Sequence, residues 1–347
     1  GLCPVRGHSN VQGNRTVGIW EAPSDAFIEK MELGLKSSMP KKHGYDVVNT
    51  IKAMEQQDVD FMFCLGGNFI SATPDTRRTS NAVSSLQMAV HVSTKLNRSH
   101  LVAAQEMLIL PCLGRTELDV QQSGEQFVTV ENSMGVVHTS TGRLEPASQN
   151  LRSEPWIIAE MAAYTLSNTS FDFREQVHNY DNIRDLISNS VVGFEDYNAR
   201  VRKPNGFYLP NPPKDNCEFE TPDGFAHFSV NELPNVEIGE DQFVMMTIRS
   251  HDQYNTTIYG LDDRYRGIKG NRRVVLMNPD DMLDLGIKTR DQVCITSHHN
   301  GRSISASNWA VIPYKIPKRN IATYFPEANE LVPLESTADI SNTPTSK

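Results

Sequence analysis

Two polar segments hold most of the side chains that could do chemistry. The first is Arg6-Gly7-His8-Ser9-Asn10-Val11-Gln12-Gly13. Its guanidinium, imidazole, hydroxyl and amide groups have little to bury and much to donate or accept. That composition suits a fixed loop holding a polar or anionic ligand, although from composition alone an ordinary surface loop at a frayed terminus is the favoured reading. The second segment is Thr247-Ile248-Arg249-Ser250-His251-Asp252-Gln253-Tyr254-Asn255-Thr256-Thr257, directly after an apolar run. Arg249 is a ready bidentate partner for phosphate. On spacing alone, a polar loop with a surface arginine reads as well. A third feature, Gly66-Gly67-Asn68, is neither a G-x-G-x-x-G fingerprint nor a Walker loop. It is a binding turn or a plain strand-to-helix turn. His298-His299 has the look of a metal pair, but adjacent strand residues point to opposite faces, so a solvated turn is expected. No G-x-S-x-G elbow, H-E-x-x-H helix or EF-hand loop occurs.

The elements that must position these groups alternate in the first half. Val59 to Leu65 reads as a buried strand running into the Gly66-Gly67 turn. Thr73-Pro74-Asp75 opens a helix that runs through Ser84-Ser85-Leu86. Met88 to Val92 and Met107 to Leu110 read as further strands, and Ser153-Glu154-Pro155 starts a helix with an apolar stripe at Trp156, Ile157, Met161 and Leu166. Such alternation predicts a parallel sheet with helices on its faces, whose ligands sit at the carboxyl ends of the strands. That places Gly66-Gly67-Asn68 and the segment after Val92 in the expected crevice. Asp172 to Ser190 reads as one amphipathic helix, and the Lys203-Pro204-Asn205-Gly206 stretch with Pro210, Pro212 and Pro213 as a loop or linker. The last hundred or so residues turn β-rich. Phe225 to Val230, Phe243 to Ile248, Val274 to Met277 and Val293 to Ser297 are strand-like. Asn278-Pro279-Asp280-Asp281 opens a short helix ending at Gly286. His299-Asn300-Gly301 is a hairpin turn returning through Ser303 to Ile312.

The composition narrows the function classes. With 347 residues the chain is long enough for about two domains at roughly 150 residues each. Lys+Arg number 33 against 42 Asp+Glu, a net charge of −9. Generic nucleic-acid affinity rests on phosphate neutralisation, so nucleic acid is not an expected partner. The longest apolar runs, such as Met107 to Leu113, fall far short of the roughly 20 residues that span a bilayer. Five scattered cysteines without a CxxC argue against a disulfide framework or an Fe–S run, and favour a reducing, cytoplasmic setting. The start Gly1-Leu2-Cys3-Pro4 has no initiator Met and no signal-peptide pattern. A piece of a longer polypeptide, or a processed product, is expected.

Taken together and in order, these segments resemble the C-terminal half of a formate-dehydrogenase-like molybdopterin oxidoreductase α subunit, over essentially the whole chain. The first landmark is Pro4-Val5-Arg6-Gly7-His8-Ser9-Asn10-Val11-Gln12-Gly13, similar to the Pro-Val-Arg-Gly-Gln-Asn-Asn-Val-Gln-Gly loop beside the metal in formate dehydrogenases. It departs from that loop at His8 and Ser9. The second is Phe63-Cys64-Leu65-Gly66-Gly67-Asn68-Phe69. The third is Ile109-Leu110-Pro111-Cys112 followed by Glu131-Asn132-Ser133-Met134-Gly135. The fourth joins Thr247 to Thr257, Asn278 to Asp281 with Leu285-Gly286-Ile287, and Tyr324-Phe325-Pro326-Glu327-Ala328-Asn329.

The resemblance implies a flavodoxin/Rossmann-like α/β parallel-sheet domain followed by a mainly β double-psi barrel. Its expected bounds are a partial oxidoreductase domain over 1–170, a helical segment and linker over 171–235, and a dinucleotide-binding barrel over 236–347 whose last strand would follow Lys347. It implies bis-molybdopterin guanine dinucleotide carrying molybdenum or tungsten, and a 4Fe-4S cluster only in the half upstream of Arg6. Arg6 inherits the role of holding a small anionic substrate; at His8, where the formate enzymes have Gln, the imidazole itself suggests a hydrogen-bond donor or an acid/base near neutral pH. Asn10, Gln12, Gly13, Gly66, Gly67, Asn68, Thr247, Arg249, His251, Gln253, Asn255, Thr256, Tyr324 and Asn329 inherit cofactor contacts. No metal ligand falls within the chain. The implied reaction passes two electrons between the substrate and an Fe–S chain, with an electron-transfer subunit or carrier as partner. The alternative is a non-catalytic pterin- or guanine-dinucleotide-binding module. An unrelated α/β hydrolase is disfavoured by the missing nucleophile elbow. The fragment alone is expected to be poorly stable, because an unfinished barrel leaves a strand edge unpaired.

Overall fold

The computed structural model describes residues 10–166, 169–233, 236–256 and 258–345. Arg6 and His8 lie outside the described residues, as do the rest of the first landmark up to Ser9 and the end of the second polar segment at Thr257. The chain divides into two units that are each discontinuous in sequence: 1–44 with 111–232, and 45–110 with 233–347. The sequence expectation instead draws three continuous stretches.

The first unit is built on a three-stranded antiparallel sheet of Val128–Glu131, Val136–Ser140 and Phe207–Tyr208, flanked by helices. The Pro/Asn/Gly cluster read as a linker is therefore a turn feeding the third strand. Gly206 makes it possible: its φ is +67°, and a Cβ there would come 1.9 Å from the Val137 carbonyl oxygen. Phe207 then joins Val137, Phe194, Tyr197 and Val201 in a core whose aromatic rings meet edge to face at 4.7–6.0 Å.

The helix predicted over Asp172–Ser190 is two helices, Phe173–His178 and Tyr180–Ser190. They break at Asn179, whose extended backbone lets its side chain accept from the Asp181 amide and cap the second helix. Ser153 caps Glu154–Thr165 as the sequence predicts. The strand expected over Phe225–Val230 does not form. That stretch has no ladder partner among the described residues, and Phe228 is almost wholly exposed.

In the second unit β1 (Phe61–Leu65), β2 (Met88–Ser93) and β3 (Glu106–Pro111) form a sheet in that order, with β1 and β2 parallel. Helices Val47–Glu55 and Thr76–Ser84 supply Val48, Ile51, Met54, Ala82 and Val83 to a core shared with Ala89 and Leu334. The Thr73-Pro74-Asp75 signal marks a helix that begins at Thr76, and a shorter helical turn, Phe69–Ala72, precedes it.

The same unit carries a mixed five-stranded sheet, in the order Gln292–His299, Arg302–Pro313, Val274–Met277, Asn320–Tyr324 and Val244–Ile248. The first two strands are the predicted hairpin. Asn300 and Gly301 both have positive φ (48° and 76°), as a type I′ turn requires. The central strand Val274–Met277 is buried on both faces, which explains its unbroken apolar run. One face packs with Trp309, Val311 and Leu331, the other with Ile268, Ala310 and Tyr324. Asn278 caps Pro279–Asp284 through the Asp280 amide.

Candidate functional site

β1 and β2 are parallel and in register from Phe61–Met88 to Leu65–Val92, so the loops that follow them leave the sheet side by side. After Leu65 the chain turns through Gly66 and Gly67, at φ 71° and 80°. A side chain is strained at such angles, and a Cβ on Gly67 would meet nothing within 4 Å. The turn thus offers bare backbone to open space. It is held from behind. The Gly66 amide donates to the Val92 carbonyl at 2.8 Å, and the Asn97 amide group donates to the Gly67 carbonyl at 2.8 Å. Asn68 is buried, and its Oδ1 accepts from the Ser99 hydroxyl, which itself accepts from the Ile70 amide.

Asn97 also caps Arg98–Leu101, and its amide donates to Nδ1 of His100. An accepting Nδ1 places the neutral ring's proton on Nε2. His100 lies 5.0 Å from His91, centroid to centroid, with both rings buried. Burial and the neighbouring His100 hold His91 below the usual imidazole range. Cys64, beside His91 in the ladder, is a thiol pushed up to about 11 by burial, which makes it inert.

The loop after Val244–Ile248 carries the second polar segment. Thr247, on that strand, is opposite Thr323. Arg249 is exposed, and its guanidinium lies 4.3 Å from the centre of the buried Phe325 ring. It makes no ion pair with a described residue, leaving its fork of donors open to an anion. His251 stacks on Tyr265 at 3.7 Å, both exposed, and the Arg264 guanidinium lies 5.0 Å from that tyrosine ring. Asn255 and Thr256 follow, both half-buried.

Gln253 is the loop's internal brace. Its Oε1 accepts from the Ser250 amide at 2.9 Å, and its Nε2 donates to the carbonyls of Asn255 and Phe325 at 2.9 and 2.8 Å. Tyr324 is buried and donates to Asp263 Oδ2 at 2.8 Å. Burial would raise the Asp263 carboxyl, but the hydrogen bonds from Tyr324 and Arg266 outweigh it and hold the group low. Asn329 is wholly buried. Its Nδ2 donates to the Ser71 carbonyl at 2.7 Å, and its own carbonyl accepts from the Asp75 amide at 2.9 Å.

The second unit carries the Gly66-Gly67-Asn68 turn, the 249–256 loop and the 324–329 segment; hydrogen bonds join the loop to the segment through Gln253 and Phe325, and Asn329 to Ser71, three residues past the turn. They do not share one role. Gly67, Arg249 and His251 are exposed and Gly66 is half-buried, whereas the Tyr324 hydroxyl, the Asn329 amide nitrogen and the Gln253 amide are spent on hydrogen bonds within the fold. Asn10, Gln12 and Gly13 belong to the first unit. There Asn10 Oδ1 accepts from the Glu131 amide at 3.0 Å, so the tail of the first landmark meets the hairpin of the third. Gln12 lies in the short helix Val11–Thr16, with its carbonyl bonded to the Thr16 hydroxyl. A Cβ on Gly13 would strike Asn10 Oδ1 at 2.3 Å. The sequence reading missed Tyr265 and Arg272, because the partners that define them, His251 for the first and Gln253 and Glu327 for the second, lie 14, 19 and 55 residues away. Among the described residues no group of three or more His, Cys, Asp or Glu side chains could hold a metal ion. None of their helices is long and apolar enough to cross a membrane.

Residues 243–347 match the family described as the molydopterin dinucleotide binding domain. An uncharacterized oxidoreductase of Mycobacterium tuberculosis is 47% identical over 353 residues, spanning 100% of this chain and 45% of the relative. The protein YdeP of Escherichia coli is 40% identical over 351 residues, spanning 99% of this chain and 46% of that protein. The chain thus spans less than half the length of these relatives. Among solved structures, acetylene hydratase from Pelobacter acetylenicus shares the fold with a TM-score of 0.55 and 14% identity, over 92% of this chain and 45% of that one.

Proposed function

We propose, from a chain whose residues 243–347 belong to the molydopterin dinucleotide-binding family, that it is the C-terminal part of a formate-dehydrogenase-like molybdopterin oxidoreductase. The observation that carries the reading is the set of exposed groups in the second unit: the open backbone at Gly67, the Arg249 fork, which makes no ion pair with a described residue, and the His251–Tyr265 stack. Fixed cationic donors suit phosphates, and stacked rings suit a planar base. That chemistry fits a pyrophosphate-linked pterin and guanine dinucleotide. When bound, the molybdenum or tungsten centre supplies the two-electron redox chemistry between a small anionic substrate and an Fe–S chain.

The chain's own residues bind and orient. Arg249 holds phosphate with a charge that does not titrate away. Gly66 and Gly67 let the backbone come close to the ligand, and Gln253 keeps the loop's shape. Arg6 holds the anionic substrate, and His8 donates a hydrogen bond or moves a proton near neutral pH. The double-psi closure of the barrel belongs to this proposal, as do the 4Fe-4S cluster in the remaining half of the longer polypeptide and an electron-accepting partner. So does a cytoplasmic setting, which the free thiols of Cys64, Cys112, Cys217 and Cys294 among the described residues support.

A hydratase shares the fold, so fold alone does not select oxidation. The oxidoreductase name of the 47% identical mycobacterial relative favours it. The test is an anaerobic screen of the full-length protein against small anions, formate included, with an artificial electron acceptor, repeated with Arg6→Ala. Turnover that falls in kcat/KM on the substitution supports the reading. Bound pterin with no turnover on any substrate replaces it with the non-catalytic module. Unchanged kcat/KM for every active substrate removes Arg6 from the site.

A further inference from the structure

Behind the exposed donors sits a cation that neither the sequence reading nor the family match singles out. Arg272 lies just before the strand Val274–Met277, with a side chain only 4% exposed. Its guanidinium uses every edge. Nε donates to Glu327 Oε1 at 2.8 Å and Nη2 to Oε2 at 3.2 Å, a bidentate pair. Nη1 donates to the Ser250 hydroxyl at 2.7 Å. Nη2 also reaches Gln253 Oε1 at 3.1 Å and the Phe325 carbonyl at 2.8 Å. The plane is flanked by aromatic rings, with Tyr259 at 4.6 Å and Tyr324 at 4.7 Å.

These contacts converge on one exposed group. Ser250 is the residue after Arg249, and Phe325 is the ring over which the Arg249 guanidinium lies. Arg272 thus fixes the backbone that carries Arg249 and also the surface that supports its charged end. We infer that Arg272 is the positioning residue of the dinucleotide site, holding the 249–253 loop and the 325–327 segment in the one pose that presents Arg249 to a phosphate-bearing ligand. This inference rests on the cofactor reading above. A lysine cannot substitute. It is a point charge that can neutralise Glu327, but it cannot also bond Ser250, Gln253 and the Phe325 carbonyl in one plane.

The experiment uses the full-length protein, purified anaerobically, as wild type, Arg272→Lys, Arg249→Gln and the double variant. Arg78→Lys serves as a control, an ion-paired arginine of the same unit that bonds Glu55 and Glu335 instead. The readouts are pterin and guanine nucleotide per chain, their rate of loss on dilution, and the unfolding midpoint. Arg272→Lys is expected to unfold cooperatively yet lose its cofactor about tenfold faster, the lower end of what removing an orienting partner typically costs. Arg78→Lys is expected to retain its cofactor. On an Arg249→Gln background, Arg272→Lys is expected to add no further loss, because residues acting through one another are not additive. A purely structural arginine would lower the midpoint and leave additivity intact. Cofactor retained by Arg272→Lys, or full additivity with Arg249→Gln, overturns the inference alone. A folded wild type without pterin overturns both the inference and the reading beneath it.

Discussion

Asn329→Asp exchanges one nitrogen for oxygen at a site with no exposure, and its cost can be worked from the contacts. The native amide donates to the Ser71 carbonyl at 2.7 Å, while Oδ1 has no partner. A carboxylate there would face that carbonyl with no donor and no counter-ion, so the group takes up a proton instead. Its hydroxyl can then replace the lost amide bond. Holding a carboxyl of ordinary pKa near 3.9 neutral at pH 7 costs about 4 kcal/mol, at about 1.4 kcal/mol per pH unit. The new group's pKa is raised in the folded state. Its penalty is therefore absent below the unfolded pKa and grows as pH rises. At pH 5 it shrinks to about 1.5 kcal/mol. Hydrogen exchange of the Asp75 amide, which donates to the Asn329 carbonyl, reads the local opening free energy against wild type at each pH. A deficit that is equal at pH 5 and pH 7 would refute the reasoning, and no deficit at either pH would mean Asn329 is not enclosed against Ser71.

His91 sits below its usual pKa, so the unfolded chain takes up a proton there before the folded one does. Its stabilising contribution is intact above about pH 6.5 and is lost as pH falls through the folded value. Urea midpoints taken from pH 7.5 to 5.5 are expected to fall, and His91→Leu is expected to flatten that slope; an unchanged slope assigns it to other groups. Gly206→Ala is expected to cost about 3 kcal/mol or more, from a contact that cannot relax together with a positive φ. Gly67→Ala, with free space around it, is expected to cost only about 1–2 kcal/mol. Equal losses in urea titrations would contradict the distinction. Arg249→Gln is expected to change stability by less than about 0.5 kcal/mol while cofactor per chain drops; a large fall in midpoint would make it a structural residue.

Local signals in the sequence were legible where one side chain closes one turn or cap. Asn300-Gly301, Asn278-Pro279 and Ser153-Glu154-Pro155 each act within four residues, and each does so as expected. What failed depends on distant partners. Phe225–Val230 alternates like a strand but finds no ladder, and Asp172–Ser190 breaks because Asn179 prefers to cap. Phe207–Tyr208 became a strand only because Val136–Val137 was there to receive it. The candidate site shows the same division. Arg249 and the Gly66-Gly67 turn declared themselves by type, whereas the burial of Tyr324 and Asn329 follows from tertiary contacts. Asn329 meets Ser71 across 258 residues, and Arg272 meets Glu327 across 55. No window of sequence contains either pair.

The most direct measurement is the metal and pterin content of the intact native polypeptide, purified without oxygen. The account predicts molybdenum or tungsten with about two guanine dinucleotides per metal, the redox chemistry residing in the cofactor and the positioning in the protein. A folded polypeptide carrying neither metal nor pterin would contradict it.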